Sequence, residues 1–122
     1  MIRIGIDIVE ISRLEKALSR WPKMAGRVFT ETELQYAYSK TKPGQHLAAR
    51  FAAKEAVFKA LGSGWPSLSW HDVEVASQGG APSLRLSGKA ARLAAGASPA
   101  VSLAHDGGLA VAQVLMEAPE SG

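Results

Sequence analysis

The segment "RFAAKEAVFKALG", residues 50–62, constrains the fold most, because it predicts a long helix that other elements must cover on two sides. We expect this helix to run from about residue 45 to residue 61, with Gly62 as its C-cap. On a wheel of about 100° per residue, one apolar stripe is formed by Leu47, Phe51 and Phe58. Small side chains that would let a neighbouring element approach closely line the other side, at Ala49, Ala53, Ala56 and Ala60.

Glu55 lies on the shoulder of that apolar stripe, about 40° from Phe51. A carboxylate beside a buried surface is unfavourable unless it is paired with a cation or bound to a metal ion. An ion pair with Lys59 at i,i+4, or with Arg50, would satisfy Glu55 in an ordinary structural way. Ligation of a metal ion is the alternative, and the helix by itself does not distinguish the two.

The N-terminal segment "IRIGIDIV", residues 2–9, alternates with a period of two and predicts a strand. Its isoleucines share one face, while Gly5 and Asp7 share the other. Gly5 would let another element approach the strand closely. Asp7 could be an exposed strand residue or a cap at the strand's end. Together with Glu55 and a nearby lysine, in a chain without cysteine, it could instead hold Mg²⁺ with a phosphate ligand.

The remaining pattern predicts an α+β domain with a mainly antiparallel sheet packed on the long central helix. Capping boxes at Ser12 with Glu15 and at Thr30 with Glu33 indicate two helix starts. Alternating segments predict one hairpin around "SQGGAP" and a second around "HDGG", with a short helix at residues 88–96 between them.

The length and composition narrow the class of protein. A chain of 122 residues suits one domain, which we place at 1–117, with a disordered tail at 118–122. The lack of cysteine excludes disulfides and thiolate metal sites, and is compatible with a reducing cytoplasm. The N-terminal segment is too charged for a signal peptide, and no apolar run is long enough to span a bilayer. The net charge of +3 favours acidic partners.

A basic stripe on the first predicted helix has two interpretations. It consists of Arg13, Lys16 and Arg20. Such a stripe is most often a solvated helix face, and otherwise a docking surface for an acidic helix. A nucleic-acid interface is not supported, because no aromatic interleaving or binding motif accompanies the stripe. The three histidines lack a zinc-ligand spacing, and the chain carries no P-loop and no nucleophile elbow.

Four segments, "GIDIVEISRLE", "RVFTETEL", "RFAAKEAVFKALG" and "SLAHDGGLAVAQV", follow one another in a way that resembles the holo-acyl-carrier-protein synthases. These enzymes are the small group of the 4′-phosphopantetheinyl transferases. The resemblance covers nearly the whole chain, and the third segment is its most specific motif. It implies the fold of that superfamily and transfer of 4′-phosphopantetheine from coenzyme A to a serine of apo-acyl-carrier protein. The other product is adenosine 3′,5′-bisphosphate, and the process served is fatty acid biosynthesis.

The resemblance also implies roles for individual residues. Asp7 and Glu55 match the magnesium ligands, and Lys59 matches a lysine beside the coenzyme A phosphates. The positions expected around coenzyme A, besides Lys59, are Arg50, Phe51, Pro82, Ser102 and His105. His105 would lie near the adenosine-phosphate end, and the basic stripe would face the acidic helix of the carrier protein. The resemblance further implies a homotrimer in which each site lies between two protomers.

Asp106 departs from many members of this group, which carry threonine after the motif histidine. It could hold a metal-bound water, assist removal of the serine proton, or cap the turn that follows, and the last interpretation is favoured. The acceptor of the serine proton is left open among Glu55, a water on the metal and Asp106.

Two other functions fit part of the pattern. A non-catalytic module that binds an acidic partner would explain the basic stripe but not Glu55. A small metal-dependent nuclease or phosphatase would share the two carboxylates, but it would act without coenzyme A or a carrier protein. For the transferase we expect a cytoplasmic setting, with no nucleic-acid or membrane partner.

Overall fold

The computed structural model describes residues 1–77 and 80–118. Within these residues the chain forms five strands, five α-helices and one short 3-10 helix. The elements in chain order are β1 (Ile2–Glu10), α1 (Ile11–Arg20), α2 (Met24–Val28), α3 (Glu31–Tyr38), α4 (Pro43–Leu61), the 3-10 helix (Trp70–Asp72), β2 (Val73–Ala76), β3 (Ser83–Leu86), α5 (Gly88–Ala94), β4 (Ser98–Asp106) and β5 (Leu109–Glu117). The predicted α+β class is confirmed, and the strand pairs are antiparallel.

The strands form two sheets where the sequence led us to expect one. In the described part of the chain, a three-stranded sheet has the order β1-β5-β4, and β2 pairs with β3 in a separate hairpin. β5 therefore lies between β1 and β4, and the N-terminal strand joins the C-terminal hairpin. This pairing places Asp7 of β1 opposite Ala112 of β5.

Helix α4 is the centre of the fold, and the three-stranded sheet lies directly on it. It begins at Pro43, before the predicted start near residue 45, because proline is well suited to the first position of a helix. It ends at Leu61, and Gly62, with a φ of 73°, forms the predicted left-handed C-cap. A Cβ atom on Gly5 would lie 1.8 Å from the carbonyl oxygen of Ala56. The close approach predicted at Gly5 is thus present, and it requires glycine.

The outer face of the three-stranded sheet is apolar and exposed. The isoleucines of β1 have exposed fractions of 56% for Ile2, 58% for Ile4, 53% for Ile6 and 60% for Ile8. The adjoining leucines of β5 on this face are also exposed. The isoleucines face away from α4, because the alternation of the strand puts the buried Gly5 on the inner face. A contiguous exposed apolar surface of this kind is typical of a protein–protein contact.

One of the two predicted capping boxes is confirmed and the other is wrong. At the start of α3, the Thr30 hydroxyl accepts from the Glu33 N–H, and the Glu33 carboxylate accepts from the Thr30 N–H. Helix α1 begins directly after β1 with no side-chain cap, so the box predicted at Ser12 does not form. The Ile11 N–H instead donates to the Gly108 carbonyl oxygen at 2.9 Å. A contact with the C-terminal hairpin therefore helps to place the start of α1.

The β4–β5 hairpin has a shorter turn than the sequence suggests, because β4 continues to Asp106. The turn consists of Gly107 and Gly108, whose φ values are 56° and 82°. His105 and Asp106 are the last two residues of β4 and lie before the turn. Positive φ at both turn positions favours glycine, which explains why the chain reverses there.

The remaining segments complete the comparison with the sequence. The sequence did not predict α2 or the 3-10 helix, because both are too short to show a periodic pattern. The β2–β3 hairpin forms as predicted, but residues 78–79 of its loop lie outside the described residues, as do residues 119–122 of the predicted tail. Within the described ranges, no helix combines the length and the apolar character needed to cross a bilayer.

Candidate active site

Asp7, Glu55 and Lys59 come together where β1 crosses α4. Lys59 Nζ lies 2.9 Å from Asp7 Oδ1 and 3.0 Å from the carbonyl oxygen of Ile6. Asp7 and Glu55 both line a cavity of about 580 Å³ between β1, α1 and α4, which we call the first cavity. Two carboxylates that are far apart in the sequence are therefore neighbours in one cavity.

Glu55 is half-buried and does not form the ion pair that its helix neighbours would allow. The Lys59 ammonium group pairs with Asp7 instead, and within residues 1–77 and 80–118 no salt bridge involves Glu55. Burial raises the pKa of Glu55, the nearby Asp7 carboxylate raises it further, and Lys59 opposes both effects. Glu55 is thus a carboxylate whose charged form would be stabilised by an additional cation.

The donor set at this crossing suits a hard divalent cation. Asp7 and Glu55 supply carboxylate oxygens from two packed elements, and the Ile6 carbonyl oxygen lies beside them. In the described part of the chain, no cluster of three or more His, Cys, Asp or Glu side chains is arranged to hold a metal ion. A cation bound here would therefore need oxygens from water or a phosphate to complete its coordination. That is the usual way in which proteins bind Mg²⁺ beside a phosphate substrate.

An aromatic cluster forms a wall of the site next to the 3-10 helix. The Trp70 ring centroid lies 5.3 Å from that of Phe51, 5.1 Å from that of Phe58 and 6.2 Å from that of Trp65. Both tryptophans line a groove that also includes Glu55. The two tryptophans were not identified from the sequence, because the segment between α4 and β2 has no periodic pattern that marks which side chains face inward.

A buried ion pair supports this wall. Lys54 Nζ lies 2.8 Å from Glu33 Oε1, and both side chains are fully buried. Lys54 also donates to the carbonyl oxygens of Trp70 and Val73, while the Glu33 carboxylate accepts from the Val75 N–H. Lys54 therefore ties α4 to the 3-10 helix and to β2. A lysine among alanines on the buried face of a helix was the sequence feature that could have revealed this pair.

Arg50 and His105 belong to a different cavity, of about 150 Å³, which we call the second cavity and which Pro82 also lines. Arg50 is only 2% exposed, and its guanidinium group lies 4.1 Å from the Tyr36 ring centroid. One guanidinium nitrogen donates to the Ser77 hydroxyl at 2.9 Å, while the buried Nε has no partner among the described residues. A buried guanidinium group with an unused N–H is well suited to bind an anion.

The second cavity is electropositive. His46 lines it together with Arg50 and His105. Burial lowers the pKa of His46, and the charges of Arg50, Lys40 and His105 lower it further. The crowding of these basic groups favours a negatively charged ligand. His46 was not assigned a role from the sequence, because a single histidine in a helix carries no specific pattern.

The two cavities lie on different sides of α4 within one chain. Glu55 follows Arg50 by five positions, which corresponds to a rotation of roughly 140° about the helix axis. Phe51 lines the first cavity with Glu55, not the second. Ser102 lies on the outer sheet face with the isoleucines, and Asp106 lines a separate polar cavity at the hairpin. One chain therefore does not bring all of the predicted site residues together, and it keeps Asp106 away from the two carboxylates.

The basic stripe on α1 is exposed and leads into the first cavity. Arg13, Lys16 and Arg20 are all exposed, and Arg13 lines the first cavity itself. The Arg20 guanidinium group lies 5.4 Å from the Trp21 ring centroid. A partner docked on this stripe would therefore lie next to the two carboxylates.

This chain is similar to known proteins over nearly its whole length. A family profile described as the 4′-phosphopantetheinyl transferase superfamily matches residues 3–113. A protein of Moorella thermoacetica named holo-[acyl-carrier-protein] synthase is 47% identical over 121 residues, which cover 96% of this chain and 94% of the relative.

Solved structures give the same result for the fold. A Chronobacterium ammoniagenes ACPS–CoA complex superposes with a TM-score of 0.86 at 29% identity, and the match covers 98% of this chain and 99% of that chain. A Helicobacter pylori holo-[acyl-carrier-protein] synthase in complex with coenzyme A gives a TM-score of 0.83 at 33% identity, with 93% and 99% covered. The similarity therefore includes every element that positions the two cavities.

Proposed function

This chain belongs to the 4′-phosphopantetheinyl transferase superfamily, and on that premise we propose that it transfers 4′-phosphopantetheine from coenzyme A to a serine of apo-acyl-carrier protein. Adenosine 3′,5′-bisphosphate is released. The observation that carries the proposal is that Asp7 and Glu55 share one cavity beside an exposed basic helix, with the Lys59 ammonium group in contact with Asp7. The process that this transfer would serve is fatty acid biosynthesis. The proposed setting is the cytoplasm, with which the lack of cysteine is compatible.

Asp7 and Glu55 are the residues that would hold Mg²⁺, which when bound supplies positive charge against the pyrophosphate of coenzyme A. The Lys59 side chain is 53% exposed, so its ammonium group is accessible to a phosphate bound next to Asp7 and Glu55. Its ammonium group would stabilise the charge that develops on the phosphate oxygens in the transition state. Trp70 and Trp65, which line a groove with Glu55 and Lys59, would limit the space available to the donor. Catalysis would then depend mainly on positioning and electrostatics.

The serine hydroxyl of the carrier attacks the phosphorus that bears the pantetheine arm, and the bond from that phosphorus to the pyrophosphate bridging oxygen breaks. The serine proton needs an acceptor. Glu55 is one candidate, because burial and the Asp7 carboxylate raise its pKa in the metal-free chain. A divalent cation bound to Glu55 would lower that pKa, so a water at the site is the second candidate. Asp106, in its separate cavity, could act at this site only from a neighbouring chain.

The carrier protein would dock on the basic stripe of α1. Arg13, Lys16 and Arg20 are exposed, and Arg13 connects the stripe to the first cavity. A carrier helix rich in carboxylates would be attracted by this charge and would place its serine near the donor.

Reversing the charge of Arg13 should raise KM for the carrier protein by about tenfold, because like charges then face each other across the interface. The affinity for coenzyme A should change little, and KM of the unchanged chain should increase with salt. Steady-state kinetics with Arg13→Glu measure the effect. Arg92→Glu, an exposed arginine of α5, removes the same charge elsewhere and serves as the matched control. An unchanged KM for the carrier protein in Arg13→Glu would mean that the basic stripe is a solvated helix face and not a docking surface.

A complete site would need two copies of the chain, and the proposed assembly is a homotrimer. The first cavity holds the carboxylates, whereas the second cavity, on another side of α4, holds the buried Arg50 and His105. The exposed isoleucine face of β1 provides an apolar surface on which copies could associate. Association on that face could bring the first cavity of one protomer to the second cavity of its neighbour.

Mixing two inactive variants should therefore restore activity. One variant, Glu55→Gln, loses the first cavity's carboxylate, and the other, Arg50→Met, loses the second cavity's guanidinium group. Random co-assembly by refolding should give about a quarter of the wild-type activity, since half of the chains keep each intact half-site. The measurement is the transfer rate of the refolded mixture, with each variant refolded alone as the control. Activity no higher than that of the separate variants would place the whole site in one chain.

The experiment that tests the proposed function is intact-mass spectrometry of apo-acyl-carrier protein incubated with this protein, coenzyme A and Mg²⁺. A mass increase of one phosphopantetheine that disappears with EDTA is the expected result. Carrier binding without a mass change would favour the non-catalytic module. Release of phosphate or nucleotide products without a carrier protein would favour a nuclease or phosphatase.

A further inference from the structure

Lys59 makes a contact that phosphate binding does not require. It follows Glu55 by one helical turn, yet its ammonium group crosses to β1, where Asp7 Oδ1 lies at 2.9 Å and the Ile6 carbonyl oxygen at 3.0 Å. The Asp7 side chain is 16% exposed, so this ion pair is partly shielded from water. Lys59 is therefore held by two oxygens of the strand and not by its neighbour on the helix.

The ammonium group of Lys59 and a divalent cation need some of the same oxygens. Asp7 Oδ1 is the oxygen that contacts the Lys59 ammonium group. A metal ion held by Asp7 and Glu55 would draw on the negative charge of the same carboxylate, and less of that charge would be left for Lys59. The ammonium group supplies one positive charge to a pair of carboxylates that repel each other. Entry of the metal alone would therefore displace or weaken the Lys59–Asp7 pair and leave the ammonium group without its carboxylate partner, with only the Ile6 carbonyl oxygen as acceptor.

We propose that Lys59 is an internal counter-ion that competes with the divalent cation for Asp7 until a phosphate ligand takes over the lysine. The inference rests on the proposed metal site of Asp7 and Glu55. When the donor binds, its phosphates offer Lys59 new oxygen acceptors, and Asp7 is then free for the metal. Metal and donor therefore bind cooperatively, and each raises the affinity for the other by the same factor.

The test is Mn²⁺ binding followed by electron paramagnetic resonance, with and without coenzyme A and in the absence of carrier protein. The unchanged protein should bind Mn²⁺ weakly alone and more tightly with coenzyme A. Lys59→Met should bind Mn²⁺ alone about fivefold more tightly, because the metal no longer competes with an ion pair. Coenzyme A should then enhance Mn²⁺ binding less than it does in the unchanged protein.

Two further variants make the result specific to the contact with Asp7. Lys89→Met removes a lysine of α5 that contacts the Ser67 hydroxyl, and it should bind Mn²⁺ like the unchanged protein. Lys59→Gln removes the same charge with a polar side chain, and it should reproduce the tighter binding even if the methionine variant folds poorly.

If the unchanged protein binds Mn²⁺ measurably and Lys59→Gln binds it equally or more weakly, the counter-ion proposal is wrong. The assignment of the metal site to Asp7 and Glu55 would still stand. An equal gain in Lys89→Met would assign the effect to net charge and would also overturn it. If neither the unchanged protein nor any variant binds Mn²⁺, with or without coenzyme A, the assignment of the metal site is wrong. The counter-ion proposal, which rests on that site, is then wrong as well.

Discussion

Replacing Glu55 by glutamine should reduce phosphopantetheine transfer by at least about a hundredfold, because groups that only support a metal ligand already contribute about 10- to 100-fold. Glutamine keeps the shape of the side chain but removes the negative charge that a divalent cation requires. Glu55 forms no salt bridge within the described residues, so its loss should leave the fold intact. Asp7→Asn should have a similar effect on transfer through the other carboxylate.

The rate of carrier modification, measured by intact mass at saturating Mg²⁺ and coenzyme A, gives the size of this effect. Glu31→Gln is the matched control, because Glu31 is an exposed glutamate in the first turn of α3. Its transfer rate should equal that of the unchanged protein. Circular dichroism and thermal unfolding establish that each variant is folded. Near-normal transfer by Glu55→Gln would contradict the assignment of this residue to the metal.

Replacing Gly5 by alanine should destabilise the protein by at least about 3 kcal/mol, because the added methyl group has no space. Its Cβ atom would lie 1.8 Å from the Ala56 carbonyl oxygen and 3.1 Å from the Ala60 amide nitrogen. Both atoms belong to the backbone of α4, so neither can turn aside as a side chain would. The sheet would have to move away from the helix, which would also separate Asp7 from Glu55.

Urea unfolding followed by circular dichroism measures the effect of Gly5→Ala on the free energy of unfolding. Gly26→Ala provides the contrast, because a Cβ atom on this glycine of α2 meets nothing within 4 Å. Alanine is the better helix former, so Gly26→Ala should be neutral or stabilising by up to about 1 kcal/mol. Equal stabilities for the two variants would mean that β1 does not need to lie so close to α4.

The central helix was largely predictable from the sequence. Its C-cap at Gly62 and its alanine-lined side depend on the order of neighbouring residues, and both are present in the structure. The start of α1 was not predictable in the same way. The local sequence around Ser12 has the pattern of a capping box, but α1 already begins at Ile11, directly after β1. The Ile11 N–H donates to the Gly108 carbonyl oxygen, a contact with a distant hairpin that the local sequence does not reveal.

The candidate site was predictable only in part. The residue types and the motifs pointed to Asp7, Glu55 and Lys59, and the structure brings these three together. The choice of partner for Lys59 was not predictable, because Glu55 at i,i+4 and Asp7 on a distant strand are both reasonable acceptors. The aromatic wall around Trp70 was missed entirely, since the segment that carries it has no regular period.

The sequence by itself determined the class of fold, the central helix, the hairpins and the residue types of the site. These features depend on interactions between residues that are near one another in the chain. Only the tertiary structure decided that β1 pairs with β5, that Lys59 contacts Asp7, and that Arg50 and Glu55 line different cavities. Such choices depend on the packing of elements that are distant in sequence, and helical or strand periodicity specifies which face of an element is apolar but not what covers it.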